Sequence, residues 1–197
     1  MGIRARRFYR SAAASLWLMI SLGCTGPVPT GLPATGGATL DTGLEVGATD
    51  VLSSLSAPAC VQAGQPSTPT QQEMLNALNL YRAQHGLSPL AYSRRLEAAI
   101  NAHVRDLWAR KFFDHVNPDG QEPGDRAVEA GFCHPYVGEN IAAGQNSVQA
   151  VMQAWQNSPS HNENMLQPAY RYVGMGLFTD PTGRKYWGQL FAIELPE

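Results

Sequence analysis

The composition of the chain changes abruptly near residue 70, and this change limits where a folded core can form. Residues 25–70 contain no aromatic residue, no Lys and no Arg, and 25 of these 46 positions are Gly, Pro, Ser or Thr. Such a segment cannot bury enough apolar surface to offset the entropy of ordering its backbone. Residues 71–197 carry 14 of the 17 aromatic residues and can build a core. We therefore predict one folded domain at residues 70–197, preceded by a flexible linker at residues 24–69.

The first 23 residues have the organisation of a secretory signal peptide. Four arginines, at positions 4, 6, 7 and 10, precede an apolar run at residues 11–23, and that run is too short for a comfortable transmembrane helix. It ends at Gly23-Cys24, which resembles the cleavage box of a bacterial lipoprotein, with Ser21 where that pattern prefers Leu. Residues 1–23 are thus predicted to direct export, and Cys24 to carry a lipid that anchors the protein to the membrane of the cell envelope. The alternative is an ordinary secretory peptide, in which Cys24 is incidental.

The two remaining cysteines fit an oxidising compartment. With Cys24 assigned to lipid, Cys60 and Cys133 form an even pair, and disulfides persist outside the reducing cytosol. A bridge between them would tie the end of the linker to the domain. The alternative is a nucleophilic Cys133 beside His134, which we disfavour because adjacent side chains usually point apart and a thiolate needs a base across a cleft.

Helices precede strands along the predicted domain. A capping box at residues 70–73 begins a first helix. Ser93 is predicted to cap a second helix, whose apolar stripe includes His103 as a packed residue. Residues 172–178 and 186–193 have the pattern of two strands joined by a turn. Helices first and a hairpin last favour the α+β class.

Short segments spread over nearly all of residues 71–197 match a known family in order and spacing. They are Leu78-Asn79-Leu80-Tyr81-Arg82, Gly86-Leu87, His115, Gly138-Glu139-Asn140-Ile141, Trp155, Ser158-Pro159-Ser160-His161 and Tyr186-Trp187-Gly188-Gln189. The succession resembles the CAP superfamily, also called the SCP domain, which includes cysteine-rich secretory proteins, antigen 5, pathogenesis-related 1 proteins and many secreted bacterial proteins. The resemblance implies an α-β-α sandwich whose helices flank a small sheet around a central cavity.

The resemblance also implies a set of site residues. In the eukaryotic branch the cavity carries two histidines and two acids, and His115 and Glu139 align with one of each. Ser158 stands where the second acid falls and Tyr186 where the second histidine falls, so both are expected to line the cleft. His161, which the bacterial branch typically carries three residues after the Ser158 position, would supply the missing nitrogen ligand.

Two imidazoles and one carboxylate with open positions can bind zinc or another divalent transition metal. His115, Glu139 and His161 would supply that set. Their separations of 24 and 22 residues are not a local ligand motif, so their convergence does not follow from spacing. The alternative is that all three support loops through capping and side-chain to backbone hydrogen bonds.

The function we favour is a secreted or lipid-anchored binding module, expected to be a monomer. Its cleft or an adjacent groove would bind a divalent metal and a small apolar ligand or a cell-envelope component. The alternative is a metal-assisted extracellular hydrolase with Glu139 as general base. A Glu139 that ligates the metal is poorly placed to act as base, and no other acid follows from the motifs, so we lean against an enzyme. The formal net charge of -2 argues against a nucleic-acid partner, because binding through phosphate contacts needs an excess of Lys and Arg.

The lipid anchor predicts a change in location when Cys24 is replaced. We expect the wild-type protein to partition into membranes and Cys24→Ser protein to leave them, because the acyl chain supplies the membrane affinity. Fractionation of producing cells followed by immunoblotting measures this. A Cys24→Ser protein that stays wholly in the membrane fraction would contradict the lipid assignment.

Overall fold

The computed structural model describes residues 59–195, which form five helices and four strands. The helices are α1 (Pro69–Gln84), α2 (Arg94–Ala109), α3 (Pro123–Glu129), α4 (Val148–Gln156) and α5 (Pro159–Met165). The strands are β1 (Ala91–Tyr92), β2 (Val137–Ala143), β3 (Tyr170–Thr179) and β4 (Lys185–Ile193). None of the helices in this part of the chain is long and apolar enough to cross a bilayer. The predicted signal peptide, Cys24 and most of the predicted linker lie outside the described residues.

The strands form one sheet in the order β1-β3-β4-β2. The predicted hairpin is confirmed: β3 and β4 are antiparallel and joined at residues 180–184, where Asp180 accepts hydrogen bonds from the backbone amides of Thr182 and Arg184. Strand β2 pairs antiparallel with β4, and β1 pairs parallel with β3. Neither β1 nor β2 was predicted from the sequence.

The helices cover both faces of this sheet, because side chains along β3 and β4 alternate between two apolar clusters. Val173 and Phe191 pack with α1 and α4 on one face. Tyr172 and Leu190 pack with α2 and α3 on the other. The three layers confirm the predicted α+β class and the α-β-α sandwich.

Glycines let α2 lie unusually close to the sheet. A Cβ atom at Gly174 would collide with the backbone of Leu96 and Glu97, and one at Gly188 would collide with the Ile100 side chain. These strand positions face α2, so the missing side chains allow the helix backbone to approach β3 and β4. The close approach brings the polar residues of α2 within reach of the sheet.

The domain begins earlier than residue 70. Thr68, rather than Thr70, caps α1 by accepting a hydrogen bond from the Gln71 amide, and Pro69 occupies the first turn. Upstream of this cap, Val61 is only 1% exposed and its carbonyl accepts a hydrogen bond from the Ser93 hydroxyl. Residues from Val61 onward therefore pack on the domain, although the predicted linker extended to residue 69.

The structure confirms the disulfide between Cys60 and Cys133, whose Cα atoms are 5.1 Å apart. The bond fastens the segment before α1 to the connection between α3 and β2. It spans a sequence separation of 73 residues.

Removing this bond is expected to destabilise the domain. In the chain-entropy description, a closed loop of this length lowers the entropy of the unfolded chain and contributes roughly 4 kcal/mol. We expect a protein carrying Cys60→Ser and Cys133→Ser to unfold at lower denaturant concentration, with its circular dichroism spectrum retained. Urea unfolding of the variant beside oxidised and reduced wild type measures the difference. Equal midpoints for all three proteins would contradict a stabilising role.

Candidate functional site

A buried carboxylate on β2 organises the polar residues on the α2 side of the sheet. The side chain of Glu139 is 2% exposed. Its Oε2 accepts a hydrogen bond of 2.8 Å from Nη2 of Arg126 on α3. Its Oε1 accepts one of 2.8 Å from Nδ1 of His115, which lies in the loop between α2 and α3. Both carboxylate oxygens are therefore held by donors on separate elements.

Arg126 also fixes the loop that carries His115. Its Nη1 donates to the backbone carbonyls of His115 and Gln121, at 2.9 and 2.8 Å. Within the loop, the Asn117 side-chain oxygen accepts from the backbone amides of Asp119 and Gln121, as is common for Asn in turns. One guanidinium thus ties the loop, α3 and β2 together.

The electrostatics follow from this geometry. Burial by itself would raise the pKa of Glu139, but the hydrogen bond from His115 and the charge of Arg126 hold that pKa below its ordinary value. The hydrogen bond to Glu139 raises the pKa of His115 above 6.5, against the opposing effect of burial. Consequently Glu139 is ionised at neutral pH, and His115 takes up a proton more readily than a free imidazole.

A second histidine, His103 on α2, also lies beside Glu139. Its Nε2 donates to the Asp114 carbonyl at 3.1 Å and lies 3.7 Å from Oε1 of Glu139. Burial lowers the pKa of His103, which favours its neutral form. The prediction that His103 packs within the helix stripe agrees with its 1% exposure. Its approach to Glu139 was missed, because helix periodicity does not show which strand residue a buried side chain will meet.

His161 lies on α5, and Ser158 is the residue that precedes this helix at its N-terminus. The His161 Nδ1 atom and the Ser158 hydroxyl form a hydrogen bond of 2.8 Å. The Asn140 side-chain amide donates to the His161 carbonyl at 3.1 Å, which ties this helix to β2. The pKa of His161 is lowered by burial and by the nearby charge of His115. The two imidazoles are therefore close enough to influence each other without a direct hydrogen bond.

The predicted site residues form two hydrogen-bonded pairs. His115 and Glu139 are in contact, whereas His161 is hydrogen-bonded to Ser158 instead. Tyr186 pairs with Ala143 in the sheet, four residues along β2 from Glu139, which is roughly 13 Å at the usual rise of a strand. Tyr186 packs near Phe178, with ring centroids 6.3 Å apart, and its predicted place in the cleft stays a prediction.

The predicted set of three metal ligands does not fit this arrangement. Both oxygens of Glu139 are engaged, and the guanidinium of Arg126 stands where it would repel a cation. Among residues 59–195, no group of three or more His, Cys, Asp or Glu side chains is placed to hold a metal ion. Zinc binding by all three residues therefore gains no support from the geometry, and zinc itself stays a prediction.

The three-layer fold and the loop and strand that bear His115 and Glu139 define the class of this domain, an α-β-α sandwich of the SCP type. The sequence profile of the cysteine-rich secretory protein family, CAP, matches residues 75–191, more than half of the chain. The chain therefore belongs to the CAP family, as its motifs predicted.

Similar bacterial proteins are known among curated sequences and solved structures. The uncharacterized protein YkwD of Bacillus subtilis is 32% identical over 121 residues, covering 61% of this chain and 45% of that protein. An extracellular protein of Bacillus anthracis that contains an SCP domain has a solved structure with a TM-score of 0.59 and 26% identity, over 66% of this chain and 45% of that one. An outer surface protein of Borrelia burgdorferi has the same fold, with a TM-score of 0.60, 19% identity, and 68% and 99% coverage. The chain spans less than half of the length of the curated relatives it matches.

The contact between His115 and Glu139 predicts an acid–base property that can be measured. We expect His115 to titrate above pH 6.5 in the wild type and at lower pH in Glu139→Gln protein, because the variant removes the negative charge and leaves Arg126 nearby. Nuclear magnetic resonance of the histidine ring protons against pH gives both pKa values. Glu163→Gln is the matched control, since Glu163 is exposed on α5. An unchanged His115 pKa in Glu139→Gln protein that is still folded would contradict the pairing.

Proposed function

We propose that this CAP domain is an exported binding module whose ligand site is built on His115. The observation that carries the proposal is the bond between His115 and the buried Glu139. The carboxylate holds Nδ1 of the imidazole, while the His115 side chain remains 38% exposed. The ring is thereby held in one orientation, and its other nitrogen, Nε2, is free to bind a ligand.

Export is supported by the relatives and by the predicted signal peptide. The Bacillus anthracis protein of similar fold is described as extracellular and the Borrelia burgdorferi protein as an outer surface protein. A bond between Cys60 and Cys133 suits an oxidising compartment. We propose attachment to the envelope through Cys24, in preference to release into the medium.

A binding role accounts for Glu139 better than hydrolysis does. A general base needs a free lone pair aimed at the proton it removes. Both Glu139 oxygens already accept hydrogen bonds, and its lowered pKa makes it a weaker base. Within residues 59–195, no other carboxylate forms a hydrogen bond or ion pair with His115 or His161. Glu139 is therefore poorly suited to act as the general base of a hydrolase, and no replacement for it is found in this part of the chain.

A metal, if one binds, would be held by imidazole nitrogens. His115 and His161 each use Nδ1 within the protein, to Glu139 and to Ser158 respectively. This is the usual arrangement for histidine ligands, whose second nitrogen is oriented by a carboxylate or other polar group. We propose that Nε2 of each ring contributes to weak zinc binding, with Glu139 as an orienting group.

A groove between α1 and α4 is the place we propose for a small apolar ligand. It has a volume of about 410 Å³, within the usual range for small-molecule sites. Leu80, 63% exposed, lies on its wall with Tyr81 and Met152. Glutamines from both helices also line it, so a ligand with an apolar body and a polar end would suit it.

Zinc titration tests the histidine site. We expect the ring signals of His115 and His161 to shift together and to saturate, with weaker binding at acidic pH because protons compete for the imidazoles. His134 serves as an internal control, since both of its ring nitrogens are engaged, Nε2 with the Ile193 carbonyl and Nδ1 with the Tyr136 amide. Separate His115→Ala and His161→Ala variants should each lose most of the binding and keep the fold. Zinc binding at this site is contradicted if no saturable shift occurs at millimolar zinc, or if neither substitution changes the binding. His115 and His161 would then have a structural role only.

A further inference from the structure

Three aromatic rings lie in a row where the end of α2 meets the β3–β4 hairpin. The Trp108 ring on α2 lies beside that of Phe178 on β3, with centroids 5.2 Å apart. Phe178 in turn lies beside Tyr186, its cross-strand partner on β4, at 6.3 Å. All three side chains are half-buried, so part of each packs on the domain and part is open to solvent. The row marks the end of the sandwich at which β3 turns into β4.

A cation lies over each ring, at the distance of a cation–π contact. The pairs are Lys111 over Trp108 at 4.7 Å, Arg105 over Phe178 at 5.8 Å and Arg184 over Tyr186 at 5.7 Å. All three cations are exposed. We call these six residues the aromatic–cation patch.

The cations of this patch form no ion pair with an acid. Among residues 59–195, the ion pairs of Lys and Arg side chains are those of Arg94, Arg110 and Arg126. Without the patch, the described residues carry seven Lys and Arg against twelve Asp and Glu. The patch is therefore a positive face on an otherwise acidic domain.

One acid, Asp180, lies close enough to sense the patch. A hydrogen bond from the Thr182 hydroxyl holds the pKa of Asp180 below its ordinary value, and the charge of Lys111 makes a smaller contribution. The same carboxylate oxygen accepts from the backbone amides of Thr182 and Arg184. Asp180 is thus engaged by the turn and leaves the three cations with a net positive charge.

Lys111 has a backbone conformation that folding alone does not favour. Helix α2 ends in a Schellman turn, in which the Phe112 amide donates to the Leu107 carbonyl at 3.3 Å. Lys111 occupies the left-handed position of this turn, with a φ of 59°, where glycine is usual. The lysine therefore lowers stability here, while its ammonium group lies over Trp108. Strain of this kind points to a use of the side chain outside the fold.

Rings of Trp and Tyr beside Lys and Arg are typical of the membrane–water interface. The rings enter the headgroup region, and the cations are attracted to anionic headgroups. Because the patch lies at one end of the domain, a flat surface can approach it. We propose that the aromatic–cation patch docks the domain on an anionic phospholipid surface. This contact would act in addition to the predicted lipid on Cys24.

The predicted anchor would bring the patch to such a surface. Cys24 lies 35 residues before residue 59, and even a fully extended chain of that length spans only about 120 Å. A tether of limited reach raises the effective concentration of headgroups, so a few weak contacts can hold the domain on the membrane. Docking would then orient the domain relative to the membrane. It requires neither zinc nor a ligand at His115.

Vesicle sedimentation of unlipidated protein tests the patch directly. The chain of residues 24–197 carrying Cys24→Ser lacks the predicted acyl anchor and keeps the whole domain. We expect it to sediment with vesicles of equal parts phosphatidylglycerol and phosphatidylcholine, and not with vesicles of phosphatidylcholine alone. Binding should weaken severalfold as the salt concentration is raised, because screening reduces the attraction between the cations and the headgroups.

Lys111→Gly separates binding from folding. Loss of one cation near an anionic surface should weaken vesicle binding about fivefold, and Arg184→Gln should have a similar effect. Glycine tolerates a φ of 59° better than lysine does, so Lys111→Gly protein should be no less stable to urea than the parent protein. Arg171→Gln is the matched control, because Arg171 is exposed and lies seven residues along β3 from Phe178, roughly 23 Å at the usual rise of a strand. It should bind vesicles as the parent does.

Three results would overturn the proposal. They are equal binding to vesicles with and without phosphatidylglycerol, unchanged binding in both Lys111→Gly and Arg184→Gln proteins, and an equal loss of binding in Arg171→Gln protein. Retention on immobilised dextran sulfate without binding to vesicles would also overturn it, and would assign the patch to a soluble anionic polymer. The zinc titration of His115 and His161 uses no vesicles, so it succeeds or fails separately from this test.

Discussion

The ion pair between Glu139 and Arg126 is the interaction on which the arrangement of this site depends. Removing a carboxylate from water costs several kcal/mol unless donors replace the lost solvent. Here the replacement comes from α3 through Arg126 and from the preceding loop through His115. Because both donors come from outside β2, the charge can be buried only when helix, loop and strand are assembled together. The pair therefore couples the position of His115 to the formation of the sandwich.

The close packing of α2 on the sheet brings the next component of the network into place. With glycine at positions 174 and 188, the helix approaches β3 and β4 closely, and His103 reaches the vicinity of Glu139. Larger side chains at those two positions would push the helix outward and leave Glu139 facing a gap. The same glycines that permit dense apolar packing thus also determine the polar contacts of the carboxylate.

Local patterns in the sequence predicted those parts of the structure that depend on local chemistry. The helix stripes, the terminal hairpin and the pairing of Cys60 with Cys133 follow from periodicity, turn residues and cysteine parity. The family motifs added the third layer and pointed to His115 and Glu139 as site residues, whose metal-binding role stays a prediction. Strand β2 was missed because its four consecutive buried positions, 139–142, show no alternation of apolar and polar residues.

The partners of Glu139 could not be predicted because they depend on tertiary contacts. Arg126 lies on a short helix with an ordinary capping sequence, and nothing in its spacing indicates that it will meet β2. His103 has the spacing of a core residue and is one, so its second role is invisible in the pattern. The early start of the domain is equally nonlocal, since the segment around Val61 is held by its hydrogen bond from Ser93 and by the neighbouring disulfide.

Two histidines beside Glu139 each have one ring nitrogen that makes no hydrogen bond within residues 59–195. In His115 it is Nε2, on the ring edge opposite Glu139. In His103 it is Nδ1, which is buried. Both rings contact the same carboxylate oxygen, so a ligand that changes the charge distribution of one ring changes the interaction of the other with Glu139. Thermodynamic linkage makes such an effect reciprocal: if a ligand bound at His115 alters the proton affinity of His103, protonation of His103 alters the affinity for that ligand by the same factor.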